Sequence, residues 1–227
     1  MQNQIKFIQS SFSYQIFVSF RIGLVLVSRS ADKGATAAQA LTSINCKCCY
    51  VSADLNSAED AAAIIPKAIS VMQDVGPISG LVNAAAVTQR GNLMTTTASE
   101  FDMQMATNVR APFLITQAVA KHMIEKGIRG SIVNICSVAA HGGAPFIMAY
   151  CASKAALVTL TKNNAAELAP KGIRVNGVNM GWCYTDNEDK LQSATKGPNW
   201  IEEADKGVPL GKFVNFPYIS IIKFLYS

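Results

Sequence analysis

The sequence predicts an α/β protein with a doubly wound, mostly parallel sheet and helices on both faces. Short apolar runs typical of buried strands alternate along the chain with longer stretches whose apolar residues recur at helical spacing. Of the 227 residues, 50% are hydrophobic and only 15% are charged, which suits strands covered on both faces. A chain of this length without an internal repeat is expected to form one domain over residues 1–227.

The strands are predicted where β-branched and apolar residues run together. The first clear strand is Leu24 to Ser28, a run of Leu and Val that ends in a polar residue. Later strands are expected at Lys47 to Ser52, Gly80 to Asn83, Ser131 to Ile135 and Ile173 to Val178. Nearer the N-terminus, Ile5 to Ile8 is strand-like and Tyr14 to Phe20 is helix-like.

The helices are predicted from the spacing of apolar residues between these strands. Their expected ranges are Ala35 to Ser43, Ala58 to Val75, Ser99 to Lys126 and Met148 to Leu168. Pro112 is expected to bend or break the third helix, because proline removes a helical hydrogen bond. Pro170 and Gly172 end the fourth. The alternation of strand and helix predicts parallel strands whose carboxyl ends meet at one edge of the sheet.

The last of these helices and the strand before it carry a candidate acid/base group. Tyr150 and Lys154 are four residues apart and share one helix face, and Ser137 follows the preceding strand. A tyrosine hydroxyl titrates near ~10, and a neighbouring ammonium stabilises its anion. The pair is therefore a candidate general acid/base, although in an alanine-rich helix the same spacing also serves packing and solubility.

Further marks occur in a fixed order along the chain. They are Asp54 after a strand, Asn83-Ala84-Ala85-Ala86 at a strand end, Asn108 in Ala106-Thr107-Asn108-Val109-Arg110, and Gly181 and Thr185 in Asn179-Met180-Gly181-Trp182-Cys183-Tyr184-Thr185. With Ser137 and Tyr150-x-x-x-Lys154, they resemble the short-chain dehydrogenase/reductase family from about Leu24 to about Val214. The family has Asn-Asn-Ala-Gly at the second mark and proline in place of Met180. The resemblance implies a Rossmann-like fold.

The resemblance also implies an NAD(P)-dependent oxidoreductase that interconverts a secondary alcohol and a ketone or other carbonyl compound. In that scheme Tyr150 exchanges a proton with the substrate oxygen, while Lys154 lowers the phenol pKa and holds the nicotinamide ribose. Ser137 hydrogen-bonds to the carbonyl oxygen, and Asn108 holds a water that links Lys154 to solvent. A small alcohol or carbonyl substrate is expected to contact His141 and Trp182.

The expected cofactor contacts follow from the same resemblance. They are Arg29, Asp54, Leu55, Asn83, Ala84, Ala85, Tyr150, Lys154, Gly181 and Thr185. Asp54 looks like the contact to the adenine ring, and Gly181 and Thr185 like the turn that holds the nicotinamide. The strand end Ser28-Arg29-Ser30 has no acid until Asp32, so Arg29 is expected to pair with the 2′-phosphate of NADP. An exposed arginine after a strand is also common, which leaves NAD as the alternative.

Both ends of the chain depart from the family pattern. A typical member opens with a strand and a glycine-rich turn whose backbone N–H groups hold the pyrophosphate, but segment 1–23 has no glycine before Gly23. Segment 215–227 is an apolar, β-prone tail in place of the family's last helix and strand. These departures support an alternative function. The chain would then be a noncatalytic or truncated member with impaired dinucleotide binding, acting as an oligomerising or binding protein.

Composition and patterning limit the partners. The net charge of +5 is scattered, and no basic run is interleaved with aromatic residues, so no nucleic-acid partner is expected. Arg21 interrupts the apolar stretch from Phe12 to Val27, so we expect a cytoplasmic protein without a membrane span; a membrane-attached scaffold is the alternative. The cysteine spacing predicts free thiols and no metal site. The resemblance implies a homodimer or homotetramer through the helices at 99–126 and 148–168.

Overall fold

The computed structural model describes residues 16–20, 23–42, 47–183 and 186–207. Within these ranges the strands form one sheet in the order β3-β2-β1-β4-β5-β6. The strands are β1 Ile16–Phe20, β2 Gly23–Ser28, β3 Lys47–Ser52, β4 Ile78–Asn83, β5 Ser131–Ser137 and β6 Arg174–Met180. The helices are α1 Ala31–Thr42, α2 Ala58–Val71, α3 Ala98–Met105, α4 Ala111–Glu125, α5 Met148–Leu168, α6 Asp186–Lys196 and α7 Trp200–Lys206. A π-helical turn, Ala106–Arg110, joins α3 to α4, and 3₁₀ turns occur at Val138–His141 and Ala169–Lys171.

The predicted doubly wound, mostly parallel α/β class is confirmed. β2 pairs with β3, β4 with β5, and β5 with β6 in parallel. The predicted strands from Leu24 onward are all present, each within about two residues of its predicted ends. The carboxyl ends of β4, β5 and β6 therefore meet at one edge of the sheet.

The predicted helices are present with altered ends. The first begins at Ala31 rather than Ala35, and the second stops at Val71 because the chain then turns, with Val75 N–H donating to the Met72 carbonyl at 2.9 Å. The long third helix is divided by the π-helical turn just before Pro112. Pro112 has no N–H to donate to the preceding turn, and the π-helical turn lies where that helical hydrogen bond would otherwise form.

The helix-like segment Tyr14 to Phe20 is a wrong prediction, because Ile16–Phe20 forms strand β1. The run Ile-Phe-Val-Ser-Phe is rich in β-branched and aromatic residues, which favour strands. Only residues 21 and 22 separate it from β2, so the chain returns antiparallel. β1 is antiparallel to both β2 and β4, and Ile16 lies beside Asn83 at the carboxyl edge. The strand-like Ile5 to Ile8 lies outside the described residues.

Alternation along β2 shows how the sheet is covered. Val25 and Val27 point to one face, into the cluster that includes Ile115 of α4. Leu26 points to the other face and packs against Ala37 of α1. Burial of each large aliphatic side chain contributes roughly 1.5–3 kcal/mol to folding.

A chain of buried amides and hydroxyls ties the central strands to two helices. Asn83 Nδ2 donates to Thr116 Oγ1 of α4 at 3.2 Å and to Asn134 Oδ1 of β5 at 2.8 Å. Asn134 Nδ2 donates to Thr161 Oγ1 of α5 at 2.9 Å. Helices α4 and α5 are thereby fixed against β4 and β5, which sets where the residues at their ends can lie.

The described residues also bear on membranes, metals and thiols. No helix among them combines the length and apolarity needed to cross a bilayer. In the same ranges, no group of three or more His, Cys, Asp or Glu side chains is arranged to hold a metal ion. Among the described residues, Cys49, Cys136, Cys151 and Cys183 are free thiols.

His122 of α4 is predicted to make the fold less stable in acid. Its Nε2 accepts a hydrogen bond from the Ile78 N–H at 3.2 Å, which requires the neutral ring. Burial lowers the pKa of His122, and the Lys126 charge lowers it further. The folded pKa lies below the unfolded value of about 6.5, so this stabilisation is complete above that value and falls as the pH drops below it.

Urea denaturation at about pH 7.5 and about pH 5.5 measures this effect. His122→Gln keeps an acceptor for Ile78 but does not titrate, so its free energy of unfolding should fall less between the two pH values than that of the wild type. His141→Gln, at an exposed histidine, is the matched control and should fall as the wild type does. If the free energy of unfolding decreases equally in the wild type and in His122→Gln, the prediction is contradicted.

Candidate active site

Ser137, Tyr150 and Lys154 come together at the carboxyl edge of the sheet. Ser137 is the last residue of β5, and the 3₁₀ turn and loop after it lead into α5. Tyr150 and Lys154 lie in the first two turns of α5, one turn apart on the same face. The Ser137 hydroxyl lies close enough to the phenol to oppose the rise in its pKa. The structure thus assembles the three residues that the sequence pattern connects.

Lys154 is a buried ammonium, with 2% of the residue exposed. Its Nζ donates to the Ile135 carbonyl at 2.7 Å and lies 5.7 Å from the centroid of the Tyr150 ring. Burial lowers the pKa of Lys154 to about 8, and the nearby Cys136 thiol opposes that shift. This pKa lies close to neutral pH, so the ammonium can release its proton under physiological conditions.

The Tyr150 phenol is neutral at pH 7. Burial raises its pKa above the ordinary tyrosine value, while hydrogen bonds from Ser137 and Thr88 act in the opposite direction. The net shift is upward, whereas the sequence argument expected Lys154 to bring it down. The reason is that the phenolate anion loses more stabilisation through burial than it gains from the neighbouring hydroxyl groups.

Asn108 lies in the π-helical turn and is 0% exposed. Its Oδ1 accepts from the Val87 N–H at 2.7 Å, and its Nδ2 donates to the Val87 carbonyl and to Ser153 Oγ, both at 2.9 Å. Ser153 Oγ in turn donates to the Tyr150 carbonyl at 2.8 Å. Both hydrogens of the Asn108 amide are therefore donated within the protein. The water that the sequence analysis expects at Asn108 would have to donate to one of its oxygen atoms. The residue joins the loop after β4 to the helix that carries Tyr150.

A cleft at the ends of β2 and β3 gathers the residues expected to meet the adenosine. It is lined by Ser28, Arg29, Ala53, Asp54, Leu55, Val87 and Thr107. Asp54 Oδ1 accepts from the Asn56 N–H at 3.0 Å, which orients the carboxylate at the cleft. Thr107 was missed from the sequence, although its place beside Asn108 was a usable signal.

The remaining predicted residues lie in different surroundings. Asn83 is 2% exposed and its amide is bonded to α4 and to β5, and Ala84 and Ala85 continue from it. Gly181 is exposed just after β6, with open space where a Cβ would stand. His141 is exposed at the end of its 3₁₀ turn. Thr185 lies outside the described residues.

Trp182 belongs to a cluster around Glu188 of α6. Its Nε1 donates to Glu188 Oε1 at 3.0 Å, and its ring lies 6.0 Å from that of Trp200 of α7, centroid to centroid. Arg90 Nη2, on the loop after β4, lies 3.6 Å from Glu188 Oε1. Arg90 was missed, because its proximity to Glu188 depends on how α6 packs against that loop.

The adenosine cleft and the Tyr150–Lys154 pair have groups that fit the two ends of a nicotinamide dinucleotide. Ser28, Arg29 and Asp54 offer polar groups to an adenosine, and Tyr150 and Lys154 offer a phenol and an ammonium to a nicotinamide ribose. Between these ends, the described ranges contain no glycine-rich turn that opens a helix ahead of β2. The reason is visible in the fold, since β1 runs back beside β2 and the first described helix, α1, follows β2.

The doubly wound sheet with polar side chains at its carboxyl edge defines the nucleotide-binding class of α/β proteins. A family model described as short chain dehydrogenase matches residues 17–196. The chain therefore belongs to the short chain dehydrogenase family.

Three similar proteins indicate the range of the family around this chain. Gluconate 5-dehydrogenase of Gluconobacter oxydans is 36% identical over 154 residues, which cover 68% of this chain and 59% of that protein. Inactive 2-(S)-hydroxypropyl-CoM dehydrogenase 2 of Xanthobacter autotrophicus is 37% identical over 181 residues, covering 79% of this chain and 77% of that one. A gluconate 5-dehydrogenase from Burkholderia cenocepacia, solved with NADP and tartrate, has a TM-score of 0.73 and 30% identity, covering 84% of this chain and 72% of that chain. This chain thus spans less than two thirds of the Gluconobacter protein.

Asn108→Asp is predicted to destabilise the fold by roughly 2–4 kcal/mol. Aspartate has nearly the same shape but cannot donate to Val87 or Ser153, and it places a negative charge in a fully buried site. Urea denaturation at neutral pH measures the change. Asn163→Asp, at an exposed position of α5, is the matched control and should change stability by less than about 0.5 kcal/mol. Equal stability of the two variants would contradict the assigned role of Asn108.

Proposed function

We propose that the chain is an NAD(P)-dependent oxidoreductase that interconverts a small secondary alcohol and its carbonyl compound. The observation that carries the proposal is the convergence of Ser137, the Tyr150 phenol and the buried Lys154 ammonium at the carboxyl edge of the sheet. A buried ammonium without function would destabilise the fold, since removal of its charge from water is unfavourable. Its retention beside a phenol supports a proton-transfer site.

Each of the assembled residues has a defined task in the proposed reaction. Tyr150 gives its proton to the carbonyl oxygen, or takes it from the alcohol, and Ser137 donates a hydrogen bond to the same oxygen. The positive charge of Lys154 stabilises the phenolate, and its ammonium binds the nicotinamide ribose. Asn108 holds the loop after β4 against α5, which fixes the distance between the two walls of the site. The nicotinamide, when bound, supplies or accepts the hydride.

NADP is the proposed cofactor, with NAD as the alternative. Arg29 lines the adenosine cleft with Ser28 and Asp54, and a guanidinium there can form paired hydrogen bonds with a 2′-phosphate. The NADP bound to the Burkholderia gluconate 5-dehydrogenase supports the same preference. Leu55, Ala84, Ala85, Gly181 and Thr185 remain proposed cofactor contacts.

A polyol or hydroxy acid is the proposed substrate class. His141 and Thr88 are exposed at the site, and the Arg90 side chain is 46% exposed beside Glu188, so several hydrogen-bonding groups face a ligand. The named activity of the Gluconobacter relative supports this class. Trp182 is proposed to close the apolar side of the same pocket.

A noncatalytic family member is the second candidate. The reversed β1 occupies the central place in the sheet, and residues 1–22 contain no glycine for a pyrophosphate turn. A relative named as inactive, with 37% identity, supports this alternative. We further propose a cytoplasmic homodimer or homotetramer through helices 99–126 and 148–168, to which Phe113, 40% exposed, would contribute apolar surface.

Tyr150→Phe is expected to lower turnover by about 10²–10⁴-fold, because phenylalanine fills the same space without a proton to transfer. Affinity for NADPH should fall by about tenfold at most, because the variant loses one hydrogen bond to the nicotinamide ribose while Lys154 remains. Calorimetric titration measures binding, and NADPH absorbance measures turnover on a panel of polyols, hydroxy acids and ketones. Full turnover by the variant would remove Tyr150 from the mechanism. A wild type that binds neither NADPH nor NADH would instead favour the noncatalytic candidate.

Arg29→Ala is expected to weaken NADPH binding about tenfold and to leave NADH binding nearly unchanged. The physical reason is the loss of charge-assisted hydrogen bonds to the 2′-phosphate, which NADH lacks. Arg174→Ala is the matched control, since it removes an exposed arginine from the opposite end of the sheet. Equal weakening of both cofactors by Arg29→Ala would contradict the assigned preference.

A further inference from the structure

Arg110, the last residue of the π-helical turn, is bonded to the loop that follows β3. Its Nη2 donates to the Asn56 carbonyl at 2.5 Å, across 54 positions of the sequence. Because the donor is a guanidinium, the hydrogen bond is charge-assisted and roughly twice as strong as one between neutral groups. The contact therefore joins two segments that are far apart in the chain.

The loop that Arg110 contacts forms one wall of the adenosine cleft, since Asp54 and Leu55 line it. The Asn56 N–H donates to Asp54 Oδ1 at 3.0 Å, and the Ser57 N–H donates to the Asp54 carbonyl at 3.0 Å. These local bonds make residues 54–57, the Asp54 turn, one compact unit. A contact that holds the Asn56 carbonyl therefore also holds the Asp54 carboxylate.

The π-helical turn forms another part of the same cleft. Thr107, 6% exposed, lines the cleft and lies on the same turn as Arg110. The Asn108 amide is 0% exposed and bonds both to Val87, which also lines the cleft, and to Ser153 of α5. Arg110 thus extends from a turn that buried hydrogen bonds already fix, and it connects the Asp54 turn to it.

The direction of Arg110 depends on the π-helical geometry. The turn closes through the Ala111 N–H, which donates to the Ala106 carbonyl. It contains one residue more than an α-helical turn, and one residue corresponds to a rotation of about 100° around the helix axis. A regular helix through this segment would therefore direct the Arg110 side chain away from Asn56.

The other attachments of the Asp54 turn lie on β2 and α2. The Ala53 N–H donates to the Ser28 carbonyl at 3.1 Å, and the Asp54 N–H donates to Asp60 Oδ2 at 2.9 Å. Asn56 is exposed, so without Arg110 its carbonyl would bind water instead. The Asp54 turn would then have more freedom to move relative to Thr107.

We propose that Arg110 is a positioning residue for the cofactor, whose guanidinium holds the Asp54 turn at the distance from Thr107 that admits an adenosine. The inference rests on the proposed oxidoreductase function, in which this cleft binds the adenosine half of NADP or NAD. Arg110 acts through the Asn56 carbonyl and needs no contact with the cofactor. Its loss should therefore weaken cofactor binding and leave proton transfer at Tyr150 unchanged once the cofactor is bound.

The first test is hydrogen–deuterium exchange of the full chain without ligand. Arg110→Met removes the donors and keeps an unbranched stem, whereas Arg110→Lys retains a donor. Arg129→Met, at an exposed arginine just before β5, is the matched control. Residues 54–60 should exchange about fivefold faster in Arg110→Met, at an intermediate rate in Arg110→Lys, and at the wild-type rate in the control. An unchanged rate in Arg110→Met would overturn the proposal.

The second test is calorimetric titration with NADPH and with adenosine 2′,5′-bisphosphate, which carries only the adenosine half. Arg110→Met should weaken the binding of both ligands about fivefold, and Arg129→Met should weaken neither. An equal loss for the fragment and for the whole cofactor places the effect at the adenosine cleft. In an active chain, KM for NADPH should rise by the same factor with kcat unchanged, whereas general damage to the fold would also lower kcat.

The outcomes distinguish this inference from the proposed function. Unchanged binding of both ligands in Arg110→Met would overturn the role of Arg110 and leave the oxidoreductase function intact. A wild type that binds neither ligand would overturn the oxidoreductase function and, with it, the cofactor role of Arg110. Faster exchange in Arg110→Met would then support the contact with the Asp54 turn alone. Arg110→Ala replaces the methionine variant if that variant does not fold.

Discussion

A single buried amide, that of Asn108, connects the parts of this site. It bonds in both directions to the backbone of Val87 and donates to Ser153, which lies on the helix of Tyr150. The π-helical turn places that amide between the loop and the helix, where a regular continuation from α3 to α4 would have directed it elsewhere. Because Asn108 is fully buried, the three bonds are strong and their geometry is fixed.

Burial away from water is the second constraint, and it shifts the pKa values of Tyr150 and Lys154 in opposite directions. It raises the pKa of the Tyr150 phenol and lowers that of the Lys154 ammonium to about 8. Both shifts favour the uncharged form, as expected where the charged form loses its hydration. Hydroxyl groups around the phenol compensate in part. The protonation states of the two groups therefore depend on the balance between burial and the few polar groups around them.

The antiparallel direction of β1 affects where the phosphates of a dinucleotide could bind. The strand fills the gap between β2 and β4, so the sheet is continuous and the carboxyl edge is intact. A central strand that runs the other way cannot lead from that edge into a helix whose N-terminus holds a phosphate. The Arg29 cleft and Lys154 would suit the two ends of a dinucleotide, while the described residues ahead of β2 lack the usual glycine-rich turn.

The sequence by itself determined the fold class, because apolar strands and amphipathic helices alternate with local periodicities that need no tertiary information. It also connected Tyr150 with Lys154, since their spacing alone places them on one helix face. Only the tertiary structure decided the direction of β1, because Ile16–Phe20 is compatible with more than one local conformation and the short link to β2 selects the antiparallel strand. The ion pair of Arg90 with Glu188 and the bonds of Asn108 to Val87 were likewise decided there. These contacts join residues far apart in the chain, whose approach depends on how loops and helices pack rather than on any local pattern.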